Sequence, residues 1–284
     1  MKKRWKLFSI AAVCAMVVLA GCGNNESGGN AASDGGNSAP AAGESGSGAL
    51  DNIKERGKLV VGVKFDTKLF GLKDPATGNV EGFDIDISKA IAKHIFGDEN
   101  ALELKEVTSK TRIPMLNNGE IDMIVATMTI TEERKQEVDF SDVYFQAGQS
   151  LLVKKGSPIQ GIEDVTAETT VLGSKGSTSV KNIRDKVTGV KVLEFDNYQD
   201  AFSALKAGQG EALTTDDSIL YGMAAQDPNY EVVGEPFTDE PYGIAVQKGN
   251  TDIVQAINDT LKELHDSGEY DAIYEKWIGK KPAE

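Results

Sequence analysis

The chain has 284 residues, 40% of them hydrophobic, which suits one large or two modest globular domains. Its formal net charge is −14, and removal of a leader carrying Lys2, Lys3, Arg4 and Lys6 leaves about −18. So acidic a surface repels phosphate, which argues against nucleic acid as a partner and requires any site for an anionic ligand to be locally basic. Cys14 and Cys22 both lie near the N-terminus, leaving the body without a disulfide, a thiol nucleophile or a cysteine-held metal. His94 and His265 each stand alone in a helical pattern and read as exposed helix residues. No Ser/His/Asp arrangement and no metal-ligand cluster is visible in the sequence, and no cofactor or metal is expected.

Residues 1–21 read as a secretory signal: a basic start, then an apolar run over residues 7–20 that is short for a bilayer span. They lead into Leu19-Ala20-Gly21-Cys22, which resembles a bacterial lipobox. The resemblance implies that Cys22 is acylated and becomes the first residue after cleavage, tethering the protein to the outer face of the cytoplasmic membrane. Residues 22–48 hold this cysteine and a run rich in Gly, Ser, Asn and Ala that reads as a flexible linker with a reach on the order of 30 Å.

The folded body is expected from residue 49. Residues 58–63 form a short β-branched apolar run, a buried strand, and residues 64–71 a loop. Asp74-Pro75-Ala76-Thr77-Gly78 is a turn. A helix follows from Gly82, with Ile87, Ala90, Ile91 and Ile95 at helical spacing. Residues 102–107 read as a strand, 112–118 as a short helix stopped by Gly119, and 121–126 as a third strand. The βαβαβ alternation predicts an α/β layer with a largely parallel sheet, whose ligands sit at the carboxyl ends of strands.

At one such end lies Thr127-Met128-Thr129-Ile130-Thr131-Glu132-Glu133-Arg134, followed by a charged segment to residue 138 that reads as a helix start. A guanidinium fork matches both oxygens of a carboxylate, and hydroxyls with free helix-start N–H groups can add to it. This stretch is therefore a candidate carboxylate grip.

A second α/β unit follows. Strands are expected at 149–154, 169–172, 190–195, 212–215 and 242–247, and helices at 161–165, 180–186, 197–207, 218–226 and 251–267. A glycine–hydroxyl loop covers residues 173–179, and a last short helix carries Tyr270, Ile273, Tyr274 and Trp277. Strand-like crossings near residues 149–154 and 242–248 suggest two lobes and a hinge.

Several motifs are distinctive: Gly82-Phe83-Asp84-Ile85-Asp86-Ile87, Asn118-Gly119-Glu120-Ile121-Asp122, Thr129-Ile130-Thr131-Glu132-Glu133-Arg134, Val138-Asp139-Phe140-Ser141-Asp142-Val143-Tyr144 and Tyr242-Gly243-Ile244-Ala245. The terminal Tyr270-Asp271-Ala272-Ile273-Tyr274-Glu275-Lys276-Trp277 completes the set. In this order they resemble the family 3 extracellular solute-binding proteins of polar amino-acid ABC transporters, the glutamate/aspartate/glutamine-binding group. The resemblance implies a periplasmic-binding-protein-like type II α/β fold, two α/β lobes joined by a two-strand hinge. Residues 49–150 with 243–284 would form lobe 1 and residues 151–242 lobe 2. The resemblance implies a binding protein and not an enzyme, with a cyclohexadienyl-dehydratase-like enzyme or a ligand sensor on the same fold as the alternatives. Its implied partners are a free L-amino acid, acidic or amide, and the permease subunits with their ATPase, with the binding protein itself a monomer.

The resemblance also assigns roles. Arg134 and Thr129 would hold the ligand α-carboxylate, with Ser177 and Thr178 closing from the second lobe at a helix start where plain capping is the bland alternative. Asp216 would take the α-ammonium, leaving Asp217 to cap the next helix, and the Thr127 carbonyl is a second acceptor. Phe70 would wall the ligand stem or pack the lobe. Arg112 and Lys64, two cations at the distal end, favour glutamate or aspartate over glutamine or cystine.

Overall fold

The structure, a computed structural model, describes residues 48–279. The expected leader, Cys22 and the linker up to residue 47 lie outside the described residues. The body opens with α1 (Ala49–Arg56), ended by Gly57 at φ 75°, and continues into β1 (Leu59–Val63), buried along its whole length. Burial on both faces is what a continuous apolar run in a parallel sheet requires. The segment after it, expected as a loop, is folded into a small antiparallel sheet of β2 (Asp66–Thr67), β3 (Gly71–Lys73) and β4 (Val80–Glu81).

Helix α2 (Phe83–Phe96) buries Phe83, Ile87 and Ile91 along one face, as their four-residue spacing dictates. It begins at Gly82, where φ is 153° and an added Cβ would lie 2.0 Å from the Phe70 carbonyl oxygen, so only glycine fits. Next come β5 (Leu102–Glu106), α3 (Arg112–Asn117) and β6 (Met123–Ile124). The first lobe has β5 and β6 flanking β1, both parallel to it, as the βαβαβ pattern predicts.

The long β7 (Val138–Lys154) pairs along its first part with β12 (Asp239–Gln247) and along its last part with β10 (Ala212–Asp216) and β11 (Tyr230–Val233). In the second lobe β8 (Thr170–Ser174) lies between β9 (Lys191–Phe195) and β10, parallel to both. The helices there are α4 (Thr178–Lys186), α5 (Tyr198–Lys206) and α6 (Asp217–Ala224). The chain returns through β12, and α7 (Thr251–Ser267) and α8 (Glu269–Ile278) close the first lobe, α7 burying Ile253, Ile257, Leu261 and Leu264. The architecture is thus two α/β lobes joined by two strands.

Three local expectations are corrected. The charged segment after Thr131 is not a helix start but one 3-10 turn, Arg134–Gln136, because Val138 already begins the 17-residue β7. The third strand narrows to Met123–Ile124; Ile121, Val125 and Ala126 are buried but unpaired as strand, and Asp122 is half-buried. Finally, the helix expected at 161–165 is one 3-10 turn, Ile162–Asp164, while α1 and β11 were not expected at all.

Candidate functional site

Among the described residues, the buried charged side chains are Lys64, Asp84, Arg112, Arg134, Asp216 and Glu240. They interact electrostatically where the lobes meet, and each is hydrogen-bonded to neighbouring backbone or uncharged polar side chains. Isolated buried charge is costly, so three cations and three carboxylates collected in one place are the mark of a site.

Lys64 follows β1 directly. Its Nζ donates to Ser109 Oγ at 3.0 Å and stands 5.1 Å from the ring centre of Tyr198, on the second lobe. Burial lowers its pKa to about 8, with Asp66 and Asp84 opposing the shift. Arg112, at the start of α3, donates through Nη1 to the carbonyl oxygens of Ala126 (2.7 Å) and Thr127 (3.4 Å), while its buried Nε has no hydrogen-bond partner. Burial and then the charge of Arg134 lower it to about 9. Asp84 accepts from Tyr144 Oη at 2.8 Å and from the Thr127 backbone N–H at 3.1 Å, and burial pushes its pKa up to about 7. This bond holds Thr127 at φ 45°, in the left-handed region that threonine rarely occupies.

Arg134 joins the lobes. Its Nη1 donates to Thr129 O at 2.7 Å and its Nη2 to Gly176 O at 3.3 Å, in the loop before α4. A guanidinium has five donors, so this leaves capacity for a carboxylate. Burial lowers its pKa from the usual arginine value. Asp216, at the end of β10, accepts from Tyr242 Oη and weakly from Ser179 Oγ (3.5 Å). Burial, then the negative charge of Glu240, raises its pKa to about 7.

The other expected residues divide between the cleft and local structure. Ser177 caps α4: its Oγ accepts from Val180 N and donates to Ser174 O. The hydroxyls of Thr129 and Thr178 both reach Glu240 Oε2, at 2.6 and 3.0 Å. Phe70 is fully buried, with its ring edge-on to Phe83, Phe145 and Tyr242. Asp217 accepts from Ser218 N and Gly148 N at the start of α6.

Glu240, Asp84, Ser109 and Tyr198 were missed from the sequence as site residues. Asp84 lies inside a quoted motif, which was the available signal. Glu240 sits in Asp239-Glu240-Pro241, a pattern indistinguishable from a solvated acidic turn. Among the described residues no group of three or more His, Cys, Asp or Glu is arranged to hold a metal ion.

The model of the bacterial extracellular solute-binding proteins, family 3, matches residues 59–280. The chain is 58% identical over 98% of its length, and 99% of the relative's, to the ABC transporter glutamine-binding protein GlnH of Bacillus subtilis. It is likewise 58% identical to the glutamine-binding protein of Geobacillus stearothermophilus, covering 91% of this chain and 97% of that one. Among solved structures, an ancestral arginine-binding protein bound to glutamine superposes with a TM-score of 0.74 at 46% identity, over 79% of this chain and 99% of that one. With a family model spanning nearly all of the described body and relatives this similar end to end, the chain belongs to the bacterial extracellular solute-binding proteins, family 3.

Proposed function

We propose that this chain binds L-glutamine between its lobes and delivers it to the permease of an ABC importer, tethered at the outer face of the cytoplasmic membrane by an acylated Cys22. The observation that carries the reading is the 58% identity, over nearly the whole chain, to a relative named for glutamine binding and ABC transport. The lobes are taken as residues 49–150 with 243–284, and residues 151–242.

The charge pattern supports an amide ligand over an acidic one. Lys64, Arg112 and Arg134 stand against Asp84, Asp216 and Glu240. A glutamine zwitterion adds no net charge to this set, whereas glutamate adds one buried negative charge to a set with equal numbers of cations and carboxylates. Arg112 gives Nη1 to two backbone carbonyls and Lys64 faces Ser109, while the free Nε of Arg112 can donate to the carbonyl oxygen of a side-chain amide. In this reading Arg134 and the N–H groups opening α4 grip the α-carboxylate, and Asp216 takes the α-ammonium. Lys64, Ser109, Arg112 and Tyr198 surround the side-chain amide.

A thermal-shift screen of the twenty amino acids and cystine tests the ligand: a ligand at one hundred times its Kd stabilises the fold by about 2.7 kcal/mol. Glutamine is expected to give the largest shift, and a larger one with glutamate overturns the choice. Arg134→Ala is expected to abolish binding in calorimetry, and unchanged affinity sinks the assigned carboxylate grip.

A further inference from the structure

Glu240 is the buried charge to which the site as described gives no task, and its surroundings are specific. It lies on β12, paired with Ala147 of β7, where the two strands cross between lobes. Its Oε2 accepts from Thr129 Oγ1 of the first lobe (2.6 Å) and from Thr178 Oγ1 of the second (3.0 Å). Its Oε1 accepts from Asn182 Nδ2 (2.8 Å) and from Thr238 Oγ1 (2.8 Å). A carboxylate has about four acceptor sites. Four donors fill them, so Glu240 has no capacity left for a ligand.

The effect falls on the threonines. A hydroxyl carries one proton and two lone pairs. The two hydroxyls lie 3.4 Å from each other, farther than either lies from Glu240, so both protons go to the carboxylate and Thr129 and Thr178 offer a ligand only lone pairs. Such acceptors suit a donor such as an ammonium, and do not suit a carboxylate. We propose that Glu240 is a positioning residue that turns the hydroxyls of Thr129 and Thr178 into acceptors for the ligand's α-ammonium, one from each lobe, beside Asp216. This reassigns Thr129 and Thr178 away from the α-carboxylate, and it rests on the reading that an α-amino acid binds here.

Glutamine at position 240 keeps the shape but not the chemistry. Asn182 Nδ2 also donates to Gln149 Oε1 at 3.0 Å, so it stays a donor toward position 240 and the new amide oxygen must face it. The amide NH2 then faces both threonines, occupies their lone pairs and turns their protons into the cleft. The acceptor pair becomes a donor pair.

The test measures binding of L-glutamine and of 4-carbamoylbutanoic acid, which is glutamine without its α-ammonium, to the full chain and to Glu240→Gln. The variant is expected to lose roughly tenfold or more for glutamine, the scale of one hydrogen bond to a charged group. Its affinity for the deamino acid is expected to change by less than about threefold, one hydrogen bond to a neutral group being an upper bound there. Thr129→Val removes one of the two acceptors while leaving Glu240 in place, and is expected to show the same selective loss, so it decides the matter where the first variant does not fold. An equal loss for both compounds in either folded variant marks a merely structural role and overturns the proposal while leaving the glutamine reading intact. A wild-type chain that binds neither compound overturns the glutamine reading, and with it any ammonium for Glu240 to serve.

Discussion

Asp66 Oδ2 accepts from the backbone N–H of Tyr198 at 2.7 Å, which places a carboxylate of the first lobe on the opening turn of α5 in the second. Gln199 Nε2 returns a bond to Asp66 O at 3.0 Å. A carboxylate at a helix start interacts favourably with the exposed N–H groups and the helix dipole. This contact crosses the cleft, so it exists only while the lobes are closed. Asp66→Ala is expected to raise the ligand dissociation rate roughly threefold to tenfold, the worth of one such bond. Association should change little. Rapid mixing of the loaded protein with excess competitor reads the rate, and an unchanged rate removes Asp66 from the closed-state contacts.

The carboxyl of Asp216 predicts a pH dependence. Burial, then Glu240, raises its pKa from 3.8 to about 7. A carboxyl raised in the fold contributes stability that is fully present below 3.8 and lost as pH rises through 7, because the folded state holds the proton more tightly. An ammonium needs the ionised form, so binding must expel that proton below pH 7. Affinity is therefore expected to rise between pH 6 and 8, by up to about tenfold per unit below pH 7, with a proton released on binding. Calorimetry in buffers of different ionisation enthalpy measures the release. Asp84 is raised to about 7 as well, but its oxygens are held by Tyr144 and Thr127. A flat profile with no proton released rules against Asp216 as the ammonium acceptor.

Lys64 makes the opposite case for stability. Its pKa falls from 10.5 to about 8, chiefly through burial. The folded state thus binds this proton less tightly, and stability is lost as pH falls from 10.5 through 8. Lys64→Met keeps the stem and removes the charge. After loss of the bond to Ser109, the ligand-free variant is expected to be more stable than wild type by about 2 kcal/mol at pH 7. The gain should vanish by pH 10. Denaturant unfolding at both pH values checks it, and a loss of stability at pH 7 means that the charge is compensated in the fold.

The long helices and the sheet were legible because their signals are local. Ile253, Ile257, Leu261 and Leu264 define α7 by spacing alone, and β1 announces itself as an uninterrupted apolar run. Arg134 could be named because a motif carried it, and Asp216 because the family resemblance assigned it. Glu240 could not, since its partner Thr129 lies 111 residues earlier and nothing local distinguishes a buried glutamate from a solvated one. Tyr198 was hidden for a similar reason: an aromatic residue opening a helix reads as core until Lys64 is placed over its ring. The helix expected around Arg134 was a conflict of periods, in which the pairing of β7 with β12 prevailed over a charged run of good helix formers.

Gly176 offers the most direct handle on closure. It occupies φ 78°, and an added Cβ would lie 2.9 Å from Lys110 Cα and 3.0 Å from Ser109 O, both backbone atoms of the other lobe. Backbone cannot swing aside as a side chain can, so Gly176→Ala must part the lobes at the point where Arg134 reaches Gly176 O. The left-handed conformation itself costs about 1 kcal/mol for alanine. Gly57 separates the two effects: it has φ 75° with nothing within 4 Å of an added Cβ. Both variants are expected to lose about 1 kcal/mol of ligand-free stability. Only Gly176→Ala is expected to weaken glutamine binding, by roughly tenfold or more, since the clash is confined to the closed form. Small-angle scattering at saturating glutamine should then give a larger radius of gyration for Gly176→Ala than for wild type or Gly57→Ala. Equal affinity and equal size for the two variants would falsify the packing of Gly176 on Lys110 as a condition of closure.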